Sequence, residues 1–328
     1  MHKSLAFLIG LILTSCLIYI LLGSYVVLHY SGRSSSTFHL GRDLLRNATK
    51  WTHALVEHDQ NPKPSGPDVH GALRHYISLV DNKRTNLSCT SCALVSSSGF
   101  LIGKNASKEI DSRSCVIRLN MAPVRGFEKD VGSRTSLRVL NFFMIDVKPE
   151  ALPNNSRLMV WGLLKRKDHL QDVTKMVKHL SPGSTIHGQT HKGELEAEEL
   201  YAKETGLHPV KTRSWLSTGW FAMMLAVDLC QEVHVYGMVP ADYCARRPRK
   251  DVPYHYYDLP HIKECSTYRH AERDKKGNHR FLREKVVFAR WAQRYNITFH
   301  HPSWPMKFDA RLFHNAGLLE TILQWIRS

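Results

Sequence analysis

Between Leu5 and Leu28 the chain carries no charged side chain and is dominated by Leu, Ile and Val. A run of that length can cross a bilayer as one helix, which withdraws these residues from any water-soluble core. The stretch continues through Ile18, Tyr19, Ile20, Leu21 and Leu22 to Val27, whereas a cleaved signal has a shorter core that ends in small residues. It is therefore read as an uncleaved anchor spanning residues 5–28, with residues 1–4 as a short cytoplasmic tail. Charge does not set its orientation, because Lys3 precedes the run while Arg33 and Arg42 follow it.

Two features place the remainder in the secretory lumen. Acceptor sequons for N-glycosylation stand at Asn47, Asn86, Asn105, Asn154 and Asn296, and such sites are used on lumenal surfaces. Outside the apolar run, Cys89, Cys92, Cys115, Cys230, Cys244 and Cys265 form an even set that permits disulfides. Cys89 and Cys92 make a C-x-x-C, which raises zinc, but no second close pair follows to complete a tetrahedral site.

Residues 29–86 mix Ser, Gly, Pro, His and charge without a sustained apolar period and read as a stem. Residues 87–328 are enough for one large domain with a substantial core. Within them "CALVS", "CVIRL", "SLRVL", "RLMVWGLL" and "EVHVYGM" read as strands, while "GELEAEELYAKE", "WFAMMLAVDLC" and "HRFLREKVVFARWAQRY" read as helices. Their alternation predicts an α/β domain with a largely parallel sheet. The C-terminal Leu318, Leu319, Ile322, Leu323 and Trp325 suggest an amphipathic packing helix.

In parallel sheets, ligands bind where strands end and helices begin. The bend "SSSG" after "CALV" is such a place, since small residues let a ligand approach the backbone and hydroxyls add hydrogen bonds. A second is Ser217-Thr218-Gly219, immediately before an apolar helical stretch. A hydroxyl and unpaired N–H groups at a positive helix terminus suit a carboxylate or phosphate, although the same residues also make an ordinary N-cap.

These segments carry a resemblance. Cys92 to Leu140 is similar to the large sialyl motif of animal sialyltransferases, and Leu216 to Met238 to their small motif. "HYYD" (His255 to Asp258) resembles the third motif and "HRFLRE" (His279 to Glu284) the very small one, in the expected order behind an amino-terminal anchor. The strings "LSTGWF", "VPYHYYD", "HRFLREKVVFARWA" and "HPSW" are most similar to the shorter α-N-acetylgalactosaminide α2,6-sialyltransferases. The resemblance implies a single Rossmann-like glycosyltransferase domain, a GT-A-like variant, anchored as a single-pass type II protein of the Golgi membrane. It implies transfer of sialic acid from CMP-Neu5Ac to the 6-hydroxyl of GalNAc in a Gal-GalNAc chain, often already sialylated, on an O-glycoprotein or ganglioside acceptor. Alternatives are a sialyltransferase of another linkage, or an inactive lumenal homologue that binds CMP or glycan without transfer.

Inverting sialyl transfer needs a base for the acceptor hydroxyl and stabilisation of the departing phosphate. By resemblance, His279 is the base, and Glu284 is placed five residues on, where a helical turn would let it orient the ring. His255 is implied to hydrogen-bond the phosphate, with Tyr256 assisting. Ser97 and Asn120 are implied to contact the nucleotide, and Ser217, Thr218 and Gly219 to hold the donor. Many sialyltransferases have Asn where this chain has Ser97, so the contact there differs. Cys92 and Cys230 match the family's disulfide between the large and small motifs; the partners of Cys89, Cys115, Cys244 and Cys265 are not fixed by spacing.

No Asp-x-Asp occurs in the chain, the pair that holds Mg²⁺ or Mn²⁺ in many sugar-nucleotide transferases. A metal-independent enzyme without cofactor is therefore expected. The net charge of +16 fits anionic donors and acceptors. Its Lys and Arg residues are spread along the chain without a nucleic-acid motif, which argues against a nucleic-acid partner.

Overall fold

A computed structural model of the chain describes residues 70–143, 154–163, 182–244, 251–258, 260–274 and 277–304. The expected anchor, most of the expected stem, Asn47 and the C-terminal apolar segment lie outside the described residues. Among those described, no helix is long and apolar enough to cross a membrane.

The strands are β1 (Tyr76–Ser78), β2 (Cys89–Val95), β3 (Cys115–Leu119), β4 (Leu137–Asn141), β5 (Arg157–Trp161), β6 (Thr185–Gln189), β7 (Cys230–Tyr236) and β8 (Ile297–His300). They form one sheet in the order β1-β6-β5-β4-β3-β2-β7-β8. Only β1 is antiparallel, on β6; the others run parallel, as the alternation predicts. The chain winds outward from β2 to β6 and then returns to lay β7 on the other side of β2. That reversal opens a crevice beyond the carboxyl ends of β2 and β7.

Parallel strands buried on both faces need apolar residues in both alternations. Cys92 and Leu94 of β2 join Ile117, Leu137, Val139 and Met159 in the core on one face. Ala93 and Val95 point the other way, to Leu101, Ile110, Val116, Val131 and Tyr236. The first face is covered by α3 (His191–Thr205), α4 (Thr218–Leu229) and α6 (Phe281–Arg294); the short helices α1 (Ser107–Asp111) and α2 (Glu128–Val131) lie on the second. Helix α4 is apolar all round and correspondingly buried from Trp220 to Val227. Trp220 meets Trp291 at 5.0 Å and Phe288 at 5.8 Å between ring centres, which locks α6 onto α4. Helix α5 (Glu264–Arg273) precedes α6.

The segment expected to be stem up to residue 86 needs correction. A 3-10 turn (Ala72–His75) and β1 stand inside it, with Tyr76 and Ile77 fully buried, so the domain begins before residue 87. A three-residue strand flanked by charge leaves no readable period. Asp228, near the end of α4, accepts from the N–H groups of Gly71 and Leu73 at 2.6 and 2.8 Å and fixes this entry.

Three disulfides close the fold: Cys89–Cys115, Cys92–Cys230 and Cys244–Cys265. The second is the pairing implied by the resemblance. Among the described residues, Cys89, Cys92 and Cys115 are the one group whose potential metal-ligating atoms converge, within 4.8 Å. All three sulfurs are consumed in disulfides rather than available as thiolates. The sequon residues Asn86, Asn105, Asn154 and Asn296 are all exposed.

Candidate active site

The crevice at the strand reversal holds an open pocket, the concave setting in which small molecules bind. Ser97, Asn120, Ser217, Thr218, Gly219, His255, His279 and Glu284 all line it, so residues far apart in sequence converge.

The N-terminus of α4 forms one wall. The Ser217 hydroxyl caps the helix by accepting from the Trp220 N–H at 3.2 Å. The same residue is clamped by Glu284, whose Oε1 accepts from the Ser217 N–H at 2.8 Å while Oε2 accepts from its hydroxyl. Thr218 Oγ1 accepts from Trp161 Nε1 and donates to Asn120 Oδ1, each at 3.3 Å. Both hydroxyls therefore build the wall, and what it offers an anion is the first-turn backbone N–H groups at the positive end of the helix.

Asn120 follows β3 in a left-handed conformation, φ 46°. Its Oδ1 accepts from the Asn141 N–H at 3.1 Å and from Thr218. With the oxygen engaged in both contacts, the amide NH₂ remains to donate to a ligand. At the end of β2, the carbonyl of Ser97 accepts from the Tyr256 N–H at 2.8 Å, which ties the serine bend to the "HYYD" turn.

His255 and His279 face the pocket from separate loops. Asp258 Oδ2 lies 2.6 Å from His255 Nδ1, so in the neutral ring Nδ1 carries the proton and Nε2 the lone pair. Burial lowers the His255 pKa, and the Asp258 carboxylate opposes that shift. His255 also stacks on Tyr257, with ring centres 5.0 Å apart. His279 Nδ1 is 2.9 Å from the Trp215 carbonyl oxygen, which can only accept. Nδ1 therefore bears hydrogen, and the neutral ring carries its lone pair on Nε2, the form a general base requires.

Two sequence expectations are corrected. Glu284 does not orient His279: α6 begins at Phe281, so His279 lies before the helix while Glu284 is buried against α4 with both oxygens on Ser217. The Trp215 carbonyl orients the base instead. Nor does Tyr256 line the pocket. Its ring is buried in the core with Phe127, 4.9 Å between centres, and its hydroxyl donates to the Pro123 carbonyl at 2.6 Å.

Sequence reasoning missed Tyr254, Glu264, Tyr268, Phe281, Lys285 and Phe288 in the lining. Asp258 was legible, three residues from His255; α5 had no motif to announce it. Burial pushes Glu284 up to about 8 and Glu264 up to about 7, while it pushes Lys285 down to about 8.

The chain matches the family model described as glycosyltransferase family 29 (sialyltransferase) over residues 47–192 and 195–294. It is 37% identical over 291 residues to the alpha-N-acetylgalactosaminide alpha-2,6-sialyltransferase 6 of Mus musculus, covering 85% of this chain and 83% of that protein. It is 39% identical over 264 residues to the human alpha-N-acetyl-neuraminyl-2,3-beta-galactosyl-1,3-N-acetyl-galactosaminide alpha-2,6-sialyltransferase, covering 74% and 85%. Among solved structures it is similar to a mammalian sialyltransferase in complex with Gal-beta-1-3GalNAc-ortho-nitrophenol, at 20% identity and a TM-score of 0.45 over 77% of this chain and 85% of the other. A family match that spans most of the chain, on a domain whose pocket gathers the motif residues, leaves one assignment: the chain belongs to glycosyltransferase family 29, the sialyltransferases.

Proposed function

We propose that the protein transfers sialic acid from CMP-Neu5Ac to the 6-hydroxyl of GalNAc in Gal-GalNAc or its α2,3-sialylated form, with inversion at the anomeric carbon. The observation that carries this reading is the presence of two oriented histidines, His279 and His255, on one pocket that opens at the N-terminus of α4. The names of the curated relatives support the linkage and acceptor.

In the proposed reaction, Nε2 of His279 takes the proton from the acceptor hydroxyl as its oxygen bonds to the anomeric carbon. The bond from that carbon to the phosphate oxygen breaks, and CMP departs with the electron pair. His255 in its protonated form, supported by Asp258, donates to the departing phosphate, and the first-turn N–H groups of α4 supply further positive potential. A donor with one phosphate can be served this way without a divalent cation, which agrees with the lack of an Asp-x-Asp pair in the sequence. The expected anchor and exposed sequons support placement as a type II protein in the Golgi membrane with the domain in the lumen.

The test uses the full-length chain in detergent with CMP-Neu5Ac and chelator, offered Gal-GalNAc with and without terminal α2,3-sialic acid on peptide and on lipid. Mass spectrometry and linkage-specific sialidases should detect a new α2,6-sialic acid on GalNAc. Tight CMP binding without product on any acceptor would replace this reading with that of an inactive binding homologue.

A further inference from the structure

The floor of the pocket contains a buried acid that the short motifs do not include. Glu264 opens α5, is 1% exposed, and accepts hydrogen bonds from the hydroxyls of Ser98 and Tyr268. Lys285 lies beside them, with Nζ donating to the Val239 carbonyl at 2.8 Å and 5.0 Å from the centre of the Tyr268 ring. All these side chains line the pocket except the Val239 backbone.

Ser98 is a junction. Its hydroxyl accepts from the Phe100 N–H at 3.1 Å, and its own N–H donates to Ser96 Oγ at 3.3 Å. The hydroxyl has one proton to give, and it gives that proton to Glu264. The next residue, Gly99, donates to the Pro253 carbonyl at 3.0 Å, and the Glu264 N–H to the Val252 carbonyl at 2.9 Å. The serine turn after β2 runs into a 3-10 turn (Gly99–Leu101) that Ser98 caps, and besides the bond of the Ser96 N–H to the Tyr236 carbonyl at 3.0 Å it is held by α5 and by the loop before α5. That helix is pinned in its first turn by Cys244–Cys265.

Burying a carboxylate costs more than burying an apolar side chain of the same volume, and a pair of this kind contributes little net stability. Its place on the wall of the pocket, bonded to the turn that meets the ligand, gives it another use. We propose that Glu264 is a positioning residue of the donor pocket: through Ser98 it fixes the Ser96–Ser98 turn in the shape that receives the nucleotide end of the donor. The inference rests on the reading of this pocket as the CMP-sialic acid site. The Lys285 charge on α6 favours the ionised form of Glu264 against the burial that opposes it, and Tyr268 holds the second carboxylate oxygen.

The test measures CMP affinity by titration calorimetry, together with donor KM, acceptor KM and kcat, on the full-length chain and on Glu264→Gln, Ser98→Ala, Ser98→Thr and the Glu264→Gln/Ser98→Ala double variant. The carboxamide cannot accept from both hydroxyls through its two ends as the carboxylate does. Glu264→Gln and Ser98→Ala are each expected to raise CMP Kd and donor KM by about tenfold, the loss of one hydrogen bond to a charged group. Acceptor KM should stay put, the double variant should be no worse than either single one, and Ser98→Thr should restore the wild-type values. Ser98→Ala leaves the carboxylate bonded to Tyr268 and carries the test if the Glu264 variant does not fold. Unchanged CMP Kd and donor KM, whatever happens to the melting temperature, would overturn the proposal, as would effects that multiply in the double variant. A wild-type chain that binds no CMP would instead overturn the donor reading beneath it.

Discussion

Glu284 grips Ser217 with both carboxylate oxygens, one on the N–H at 2.8 Å and one on the hydroxyl, and so sets the first turn of α4 from α6. Glu284→Ala strands the Ser217 N–H in a buried site, at a cost of about 1–3 kcal/mol for the orphaned donor. Urea unfolding is expected to show that loss together with weakened CMP binding. Wild-type stability in Glu284→Ala would mean that the clamp contributes nothing to the fold.

His279→Ala removes the base and leaves the walls of the pocket in place. Turnover is expected to fall by about 10²–10⁴-fold while CMP affinity stays near that of the wild type. Undiminished turnover in a stopped assay of radiolabelled transfer would sink the assignment.

Asp258→Asn deprives His255 of its carboxylate. The hydrogen bond to a charged group is worth enough that turnover should drop by about tenfold or more. Burial already lowers the His255 pKa, and loss of Asp258 lowers it further. Because the proposed acid acts protonated, the limb of the pH-rate profile that falls with rising pH should move to lower pH; a limb that stays in place would separate His255 from the proton transfer.

Stability should depend on pH through the pocket floor. Glu284 at about 8 and Glu264 at about 7 lie above their ordinary 4.5, so the native state holds protons that the unfolded chain has released. Stability falls as pH rises through that window. His187, pushed down to about 4 from 6.5, works in the opposite sense below 6.5, where the unfolded chain holds the extra proton. Lys285, about 8 against 10.5, acts in that same sense only above about 8. The melting temperature should therefore decline between pH 6.5 and 8, and Glu284→Gln should flatten that decline.

The disulfides are expected to rank by the loop each closes. Cys92–Cys230 spans 138 residues and Cys89–Cys115 spans 26, which correspond to about 5 and about 3.5 kcal/mol on the chain-entropy model. Paired Cys→Ala variants compared by urea titration should lose stability in that order.

The central sheet was legible because its strands are continuous apolar runs; "CVIRL" coincides with β3, and α4 and α6 follow their apolar patterns closely. Strands β6 and β8 were not, since "TIHGQ" and "ITFH" carry His, Gln and Thr where an aliphatic run would announce burial. At the site, the residues singled out from the motifs all line the pocket except Tyr256, but Glu264 and Tyr268 went unseen and the motifs did not tell who holds whom. The spacing of His279 and Glu284 suggested a pair, yet the helix starts between them and sends the carboxylate to a partner 67 positions away. Hydrogen-bond partners set by tertiary packing leave no local periodicity to read.

Asp228 gathers Gly71 and Leu73 near the far end of α4, while Ser217 caps the end that faces the pocket. Twelve helical residues separate the two ends, about 18 Å along the axis. The turn around Gly71 and Leu73 is thus held at the back of the same rod whose front presents the site. A disturbance at that turn is relayed to the pocket along a buried helix rather than at its mouth.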